Sequence, residues 1–396
     1  MEITEIRCVR REGTVEEHPD GIFQERLARP TDVYEEFREG GQVNSLSGTD
    51  DPRELSQVFV EIDTDEGITG LSGPIDRLAA YAVLDVADTL VGQSPLATEK
   101  VLDVLYGRWD DANAGMRARG VSAIDVALWD VRGKYYDAPI YELLGGPTRT
   151  ELPCYASMLG FSVEPEDVRE RAAEYRDRGF PAQKWFFRHG PGSGREGMEK
   201  NVALAAAARE AVGEDYDLMF DAWRSWGTAY ATAMIDRLAP YDPRWLEQPL
   251  DSQHVEGYAR LSDAAPFPIA GGEHDVTRWD FQKLLAAGAL DVLQPETFYT
   301  GGISELVKIC TLGSTHDVPV FPHGNSAPTN VQVIAAQPPT VCPLVEFLIQ
   351  RNAHYQHFFE EPVWPEEGTI SVPDRPGLGI SIDDSKVEAE SEVTLG

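Results

Sequence analysis

The stretches Leu218-Met219-Phe220-Asp221, Trp245-Leu246-Glu247 and Ile269-Ala270-Gly271-Gly272-Glu273 decide the fold of this 396-residue chain, because each is a short apolar run that ends in a carboxylate. The acids are equally spaced, with 26 residues from Asp221 to Glu247 and 26 from Glu247 to Glu273. A strand, a helix and their two loops in a parallel (β/α) unit need a similar length. The spacing therefore predicts three acids at matching positions on three consecutive parallel strands. These positions lie at the end where β/α barrels carry their chemistry.

Three carboxylates that converge at one barrel mouth repel one another unless a cation neutralises them. Carboxylate oxygens are hard ligands, and a small set of them suits Mg²⁺ best. Asp221, Glu247 and Glu273 are therefore the predicted ligands of a Mg²⁺ ion. The alternative is that three unrelated acids happen to stand at strand ends.

The second part of the chain repeats a strand-then-helix pattern. Strand patterns occur at 151–159, 183–187, 217–221, 245–249, 269–273, 291–295, 319–323 and 343–348, and amphipathic helix patterns separate most of them. This alternation predicts an α/β fold built as a β/α barrel. Residues 1–130 are predicted to form a smaller α+β domain and residues 131–364 the barrel, with a tail from about 365 to 396 that folds back on the first domain.

The charge of the chain is strongly negative, with 34 basic and 67 acidic residues and a net charge of −33. Few of the basic residues are lysines, and this surface composition favours solubility in very high salt. The charge argues against binding nucleic acid or an anionic membrane through a basic face. Four scattered cysteines, no apolar signal core and no run of membrane-spanning length predict a cytoplasmic protein.

A glutamate and a histidine stand at the next two strand ends. Glu296 and His323 are 27 residues apart, again about one β/α unit, so they can be neighbours at the same rim. A carboxylate bonded to an imidazole fixes its tautomer and raises its pKa, which gives a general base that becomes a general acid. The alternative is a capped loop histidine beside an unrelated glutamate.

Lys184 lies on the apolar strand pattern Gln183-Lys184-Trp185-Phe186-Phe187, an unusual place for a lysine. Because side chains alternate along a strand, Lys184 and Phe186 face the same way. If it points into the barrel mouth, Lys184 can neutralise a substrate carboxylate or act as a base with a lowered pKa. The alternative is a lysine that extends to the rim.

Four further residues are candidates for contact with substrate. Glu346, on the last strand, can hydrogen-bond substrate or developing charge if it is protonated, and is equally often a structural acid. Arg224 and His274 follow proposed ligands and can either touch substrate or support those ligands. His189 lies in a glycine-rich loop that lacks the strand-to-helix phosphate fingerprint, which argues against nucleotide binding.

These motifs resemble the mandelate racemase-like branch of the enolase superfamily over nearly the whole chain. The segment Ala123–Asp130, followed by Gly133-Lys134, Pro139-Ile140 and Leu143–Gly146, is similar to the family's junction between capping domain and barrel. The resemblance assigns Asp221, Glu247 and Glu273 as metal ligands, Glu296 and His323 as the carboxylate–histidine dyad, and Glu346 as the last-strand acid. Within the branch, the stretches around Lys184, Asp221, Gly272 and Phe321 are most similar to L-rhamnonate dehydratases and related acid-sugar dehydratases.

The resemblance implies a modified TIM barrel of the (β/α)7β type with an α+β capping domain. It also implies Mg²⁺, a homo-oligomer and a small sugar-acid substrate, an aldonate such as L-rhamnonate. In such an enzyme His323, oriented by Glu296, would take the C2 proton to give an enediolate. The proton would then return to the departing 3-hydroxyl, which yields a 2-keto-3-deoxy acid. The loops His18–Gly41 and Val43–Thr49 would select the sugar.

Two positions depart from the family pattern. The dyad acid is usually aspartate, whereas Glu296 is one methylene longer. Phe186 stands where the racemase pattern has a second lysine. A racemase needs acid–base groups on both faces of the α-carbon, so this loss favours elimination. A racemase or epimerase of a 2-hydroxy acid, with Lys184 as the second base, is the alternative, and a non-catalytic metal-stabilised binding protein is a third possibility.

Overall fold

The computed structural model describes residues 1–15, 24–38 and 54–395. The Val43–Thr49 loop and both ends of the His18–Gly41 loop lie outside this described part. The strands are β1 (Ile3–Thr14), β2 (Glu54–Thr64), β3 (Thr69–Ile75), β4 (Glu151–Ser157), β5 (Ala182–Phe186), β6 (Asp217–Asp221), β7 (Trp245–Glu247), β8 (Ile269–Gly271), β9 (Val292–Leu293), β10 (Val345–Leu348), β11 (Thr369–Ser371) and β12 (Ala389–Glu392).

The helices fall between these strands in the predicted alternation. They are α1 (Arg77–Leu90), α2 (Thr98–Arg108), α3 (Gly115–Tyr136), α4 (Ile140–Leu143), α5 (Pro165–Asp177), α6 (Gly194–Val212), α7 (Thr228–Leu238), α8 (Val255–Ala264), α9 (Thr277–Ala286), α10 (Thr297–Thr300), α11 (Gly302–Thr315), α12 (Ala327–Ala336) and α13 (Ile349–Tyr355). No helix of the described part is long and apolar enough to cross a membrane.

The larger sheet is parallel along the order β10-β4-β5-β6-β7-β8-β9, and β11 pairs antiparallel with β4. One inward side chain from each of the eight strand positions fills its interior, namely Tyr155, Ala182, Met219, Trp245, Ala270, Val292, Phe321 and Leu344. Three large aromatic side chains and five smaller ones fill this interior, so the barrel is a packed core and not a pore. Chemistry is therefore confined to the rim.

The prediction of a regular seventh strand at 319–323 is wrong. The segment forms only a single parallel bridge, between Leu293 and Val320. Proline has no backbone N–H, and Pro319 and Pro322 remove two donors from the ladder. Two of the remaining donors face β9 and the residues after it, since Phe321 N donates to Leu293 O at 2.8 Å and His323 N to Pro295 O at 3.0 Å, while Val320 N donates to Val341 O on the other side. The segment is thus held beside β9, with His323 next to the residues that follow that strand.

The smaller sheet is antiparallel, with the order β12-β1-β2-β3, and helices α1 and α3 pack against it. The carboxylate of Asp130, fully buried on α3, accepts hydrogen bonds from Leu71 N of β3 and Leu378 N of the tail, both at 2.8 Å. This acid ties the capping sheet and the C-terminal tail to the same helix. Helix α3 runs across residue 130, and the boundaries at 130 and 364 stay a prediction.

Candidate active site

The structure places two of the three predicted metal ligands side by side. Asp221 is the last residue of β6 and Glu247 the last of β7, and the two are direct register partners. Glu247 is in turn paired with Ala270, so Glu273 lies three residues beyond that level. The prediction of matching positions is therefore wrong for Glu273. Equal sequence spacing does not give equal register here, because the chain continues past β8 through Gly272, which has a φ of +113°.

The surroundings of Asp221 and Glu247 disfavour the ionised forms of these two carboxylates. Burial and the neighbouring Glu247 raise the pKa of Asp221 well above its usual range. Burial also raises the pKa of Glu247, although Lys184 opposes the shift. For Glu273, burial is outweighed by His323, His274 and other nearby cations, which lower its pKa to about 2. Crowded, buried carboxylates of this kind are stabilised by a cation.

The residues present fit Mg²⁺ in donor chemistry and in burial. All three candidates offer carboxylate oxygens, which this ion prefers, and the residues are 8%, 1% and 6% exposed for Asp221, Glu247 and Glu273. In the part of the chain that the structure describes, no three Asp, Glu, His or Cys side chains form a closed metal-binding group. Both oxygens of Glu247 are bonded to Lys184 in this structure, and an ion bound there would compete for that contact.

Lys184 is the internal counter-ion of the site. Its Nζ lies 2.7 and 2.8 Å from the two oxygens of Glu247 and 2.7 Å from Glu346 Oε1. Burial would lower the pKa of this ammonium, but Glu247 and Glu346 raise it well above its usual range. The notion that Lys184 is a base with a lowered pKa is therefore wrong for this arrangement. Its side chain points inward, as predicted, and carries a permanent positive charge.

Glu346, on β10, is an acceptor at the same site. Gly324 N donates to its Oε2 at 2.9 Å, and Lys184 neutralises its other oxygen. Burial would raise the pKa of Glu346, but Lys184 and His323 lower it below its usual value. These neighbours favour the ionised carboxylate, which agrees with the alternative that Glu346 is a structural acid; a contact with substrate stays a prediction. Glu346 serves to hold Lys184 and the loop that follows His323.

The structure brings Glu296 and His323 together as a hydrogen-bonded pair. His323 Nδ1 lies 2.7 Å from Glu296 Oε2, and Phe298 N donates to the other oxygen at 3.1 Å. Asn330 Nδ2 donates to the carbonyl of His323 at 2.7 Å. With Nδ1 donating to the glutamate, Nε2 is directed toward Glu273, whose Oε1 is 3.9 Å away. The longer side chain of Glu296 still reaches the imidazole.

The charge around His323 favours its protonated form. Burial would lower the pKa of the imidazole, but Glu273, Glu346 and Glu296 together raise it to about 10. Glu273 contributes most to this rise, and it is also one of the proposed metal ligands. A cation at the cluster would therefore bring the imidazole pKa back toward the range where it can exchange protons.

Arg224 and His274 lie beside this group, whereas His189 does not. The Nε of Arg224 is buried without a hydrogen-bond partner, and the guanidinium lowers the pKa of Glu273. His274 Nδ1 is 3.6 Å from Glu273 Oε2, and burial lowers the pKa of its ring. His189 Nδ1 faces Ser193 Oγ at 3.4 Å in the loop after β5. Burial lowers the pKa of His189 to about 4, so this histidine is neutral.

Three residues of the site were not predicted from the sequence. Gln294 Nε2 donates to Glu247 Oε2, and Gln248 Nε2 lies 3.1 Å from His274 Nδ1. The ring of Tyr299 packs 6.2 Å from that of His274. A signal was present for Gln294, because it is a polar residue that directly follows the apolar pair of β9 and stands two residues before Glu296. Gln248 and Tyr299 follow strand ends and carry no such signal.

The barrel mouth carries acids at the ends of consecutive strands together with a carboxylate–histidine dyad, and an α+β domain caps it. These features define a β/α-barrel enzyme with acid–base chemistry at its mouth. Two family models match the chain. Residues 49–145 match "Mandelate racemase / muconate lactonizing enzyme, N-terminal domain", and residues 167–386 match "Enolase C-terminal domain-like". The chain belongs to the enolase superfamily, in its mandelate racemase and muconate lactonizing enzyme branch.

Curated relatives and solved structures agree with this membership. A D-galactarolactone cycloisomerase from Agrobacterium fabrum is 36% identical over 83% of this chain and 89% of its own. An L-rhamnonate dehydratase from Saccharopolyspora erythraea is 32% identical over 96% of this chain and 97% of its own. The crystal structure of a racemase from Streptomyces coelicolor with bound magnesium is 26% identical, with a TM-score of 0.79, and covers 97% of this chain and 98% of its own.

The comparisons confirm three predictions and part of a fourth. The enolase-superfamily resemblance and the modified TIM barrel with an α+β capping domain are confirmed. The prediction of an enzyme of the lyase class is confirmed by the dehydratase relatives. One structural neighbour, the racemase from Streptomyces coelicolor, has bound magnesium, in agreement with the predicted ion.

Proposed function

We propose that this protein is a Mg²⁺-dependent dehydratase of a sugar acid, with an aldonate such as L-rhamnonate as its substrate. The observation that carries the proposal is the His323–Glu296 pair, whose free imidazole nitrogen faces the buried carboxylates. A base fixed in this way can remove a proton from a carbon held between it and the carboxylate cluster. The L-rhamnonate dehydratase relative, which matches nearly the full chain, supports the substrate class.

The first step is removal of the C2 proton by Nε2 of His323. Glu296 holds the opposite nitrogen and stabilises the imidazolium that forms. The site for the ion consists of Asp221, Glu247 and Glu273, and bound Mg²⁺ would supply Lewis-acid polarisation of the substrate carboxylate. The electron pair of the C2–H bond moves toward that carboxylate and gives an enediolate. Lys184 and Arg224 add positive charge on the same side.

The second step is elimination of the 3-hydroxyl. The proton on His323 passes to the departing oxygen, so one water leaves and His323 returns to its neutral form. The resulting enol takes a proton from solvent at C3 and becomes a 2-keto-3-deoxy acid. One base suffices for this sequence, because both proton transfers occur on one face of the substrate.

The structure offers little support for a second base. Phe186 occupies the position where the racemase pattern has a second lysine, and it is buried. Lys184 is held by Glu247 and Glu346, and its pKa is raised. These contacts weigh against the racemase or epimerase alternative. A second candidate is cycloisomerisation of a sugar-acid lactone, which the 36% identical relative favours; that reaction also needs a base next to a carboxylate but releases no water.

The test is a screen of acid sugars and their lactones with Mg²⁺ at low and at molar salt. The dehydratase proposal expects a 2-keto-3-deoxy acid from one or more aldonates, and a product of unchanged mass from a lactone would favour the isomerase. The variant His323→Asn removes the base and is expected to lower kcat by at least about 10²-fold. Unchanged turnover in this variant would overturn the mechanism. Activity that rises with salt would support the predicted high-salt habitat.

We further propose a cytoplasmic location and a homo-oligomeric state. Both rest on the family resemblance and on the composition of the chain. Light scattering of the purified protein measures the oligomeric state, and a monomeric mass would contradict that part of the proposal.

A further inference from the structure

A second cavity lies between the capping sheet and the barrel, next to the dyad. Its volume is about 690 Å³, and Glu296 forms part of its wall. The capping domain contributes Arg10 of β1, Arg77 of α1 and Arg119 of α3, and the barrel contributes Arg351 of α13. Four arginines around one cavity are notable in a chain with a net charge of −33.

Two of the three acids in this wall already have a partner. Asp76 caps helix α1 by accepting from Leu78 N and Ala79 N, and it binds Arg119 at 3.0 Å. Glu296 is bonded to His323. Within the described part of the chain, the Glu12 carboxylate accepts only from the neutral hydroxyl of Ser56 and keeps its charge. One unpaired carboxylate therefore faces the guanidinium groups of this wall, which leaves a net positive charge.

Three of the four arginines, Arg10, Arg77 and Arg351, have no carboxylate partner within residues 1–15, 24–38 and 54–395, and Arg77 is bonded instead to the hydroxyl of Tyr81. Arg10 makes no ion pair there, and Arg351 contacts only the ring of Tyr355, at 5.7 Å from its centroid. The Nε of Arg351 is buried and makes no hydrogen bond. Buried guanidinium N–H groups normally have a partner, so this donor points to a group that the polypeptide does not supply.

The cavity also presents unused acceptors. The amide oxygens of Gln57 and Asn325, both in the wall, are buried without a donor. Guanidinium donors beside amide acceptors fit a ligand that carries an anionic group together with hydroxyl groups or bound water. Arginine is suited to such anions because its planar fork binds two oxygens at once.

Two residues, Tyr299 and Glu296, line this cavity and also contact the active site. Arg119 lies 3.6 Å from the centroid of Tyr299, and the same ring packs against His274. Tyr299 and Glu296 thus belong to both regions. The cavity is nonetheless distinct from the carboxylate cluster, because Lys184, Asp221, Glu247 and Glu273 do not line it.

We propose that this cavity is a separate anion-binding site, in which Arg10 and Arg351 hold an oxyanion. The shared chemistry is an oxygen-bearing anion, supplied either by a polyhydroxy acid or by an inorganic oxyanion of the solvent. Since binding can be measured without turnover, the inference stands or falls independently of the dehydratase proposal.

The test is calorimetric titration of Mg²⁺-loaded protein that carries His323→Asn, so that an aldonate is not turned over, with sodium sulfate and, separately, with sodium gluconate; every variant below is made in this background. Ionic strength is held constant with sodium chloride. The Arg10→Gln/Arg351→Gln variant removes both guanidinium groups. The control Arg195→Gln/Arg237→Gln makes the same change in charge at exposed positions outside the cavity. For at least one probe, the cavity variant is expected to raise Kd at least about tenfold, because charge-assisted bonds are lost, while the control keeps the Kd of the His323→Asn protein.

The two probes separate the sources of the anion. Loss of affinity for gluconate alone assigns the site to polyhydroxy acids, loss for sulfate alone assigns it to solvent oxyanions, and loss for both shows general oxyanion binding. If the glutamine variant fails to fold, Arg10→Lys/Arg351→Lys keeps the charge but not the fork and is expected to weaken binding. An unchanged Kd in a folded cavity variant, or no binding of either probe to the His323→Asn protein, would overturn the proposal.

Discussion

Replacing Lys184 by methionine leaves two buried carboxylates without their shared counter-ion. The side chains of Lys184, Glu247 and Glu346 are 3%, 1% and 0% exposed, and the ammonium lies within 2.8 Å of both acids. Removing one partner of a buried ion pair costs about 3–5 kcal/mol, because the remaining charge is stranded away from water. We therefore expect the free energy of unfolding of metal-free Lys184→Met to fall by about 3–5 kcal/mol. With Mg²⁺ present the loss is expected to be smaller, since the ion would neutralise Glu247.

The assay is urea unfolding near pH 7, once with a chelator and once with Mg²⁺. Lys283→Met is the matched control, because Lys283 pairs with Asp280 at 2.8 Å while its own side chain is 71% exposed. Exposed pairs contribute at most about 1 kcal/mol, so the control is expected to stay close to wild type. If chelated Lys184→Met lost no more stability than Lys283→Met, Lys184 would not be the counter-ion of the cluster.

Two further predictions concern the stability of the site. In chelator, the stability of the wild-type protein is expected to decline as pH rises from 6.5 towards 10. The reason is that the pKa of His323 is about 10 in the folded protein and 6.5 ordinarily. The protonated imidazole therefore stabilises the fold fully below pH 6.5, and this stabilisation is lost as the pH rises towards 10. Urea midpoints across this range test the decline, and an equal slope in His323→Asn would contradict it. Gly272→Ala is expected to lose about 1–3 kcal/mol, because φ is +113° and the new Cβ would lie 2.7 Å from the ring of Phe281; an unchanged thermal midpoint would refute that reading.

The barrel and the dyad could be predicted from the sequence, because both depend on local signals. Apolar runs that end in acids mark strand ends, and the repeat length fixes which ends are neighbours. The Glu296–His323 pair needs no more than this, since its two residues lie on adjacent barrel positions. The segment 319–323 was harder to predict, because Pro319 and Pro322 prevent a regular strand while His323 still lies beside Glu296.

The contacts across the barrel could not be predicted in this way. The pairing of Lys184 with Glu247 and Glu346 joins β5 to β7 and β10, and it depends on the tilt and closure of the sheet. The offset of Glu273 depends on backbone conformation at Gly272, which spacing does not record. The same limit applies to the charge states, because the pKa values of Lys184 and Glu346 follow from contacts that only the folded barrel creates.

The most direct test of the proposed function is mass spectrometry of the product formed from an aldonate in deuterated water with Mg²⁺. Dehydration through His323 predicts a 2-keto-3-deoxy acid that has lost one water and carries one solvent deuterium at C3. Exchange of deuterium into C2 of an otherwise intact sugar acid, with no loss of water, would contradict the account and indicate a racemase or epimerase.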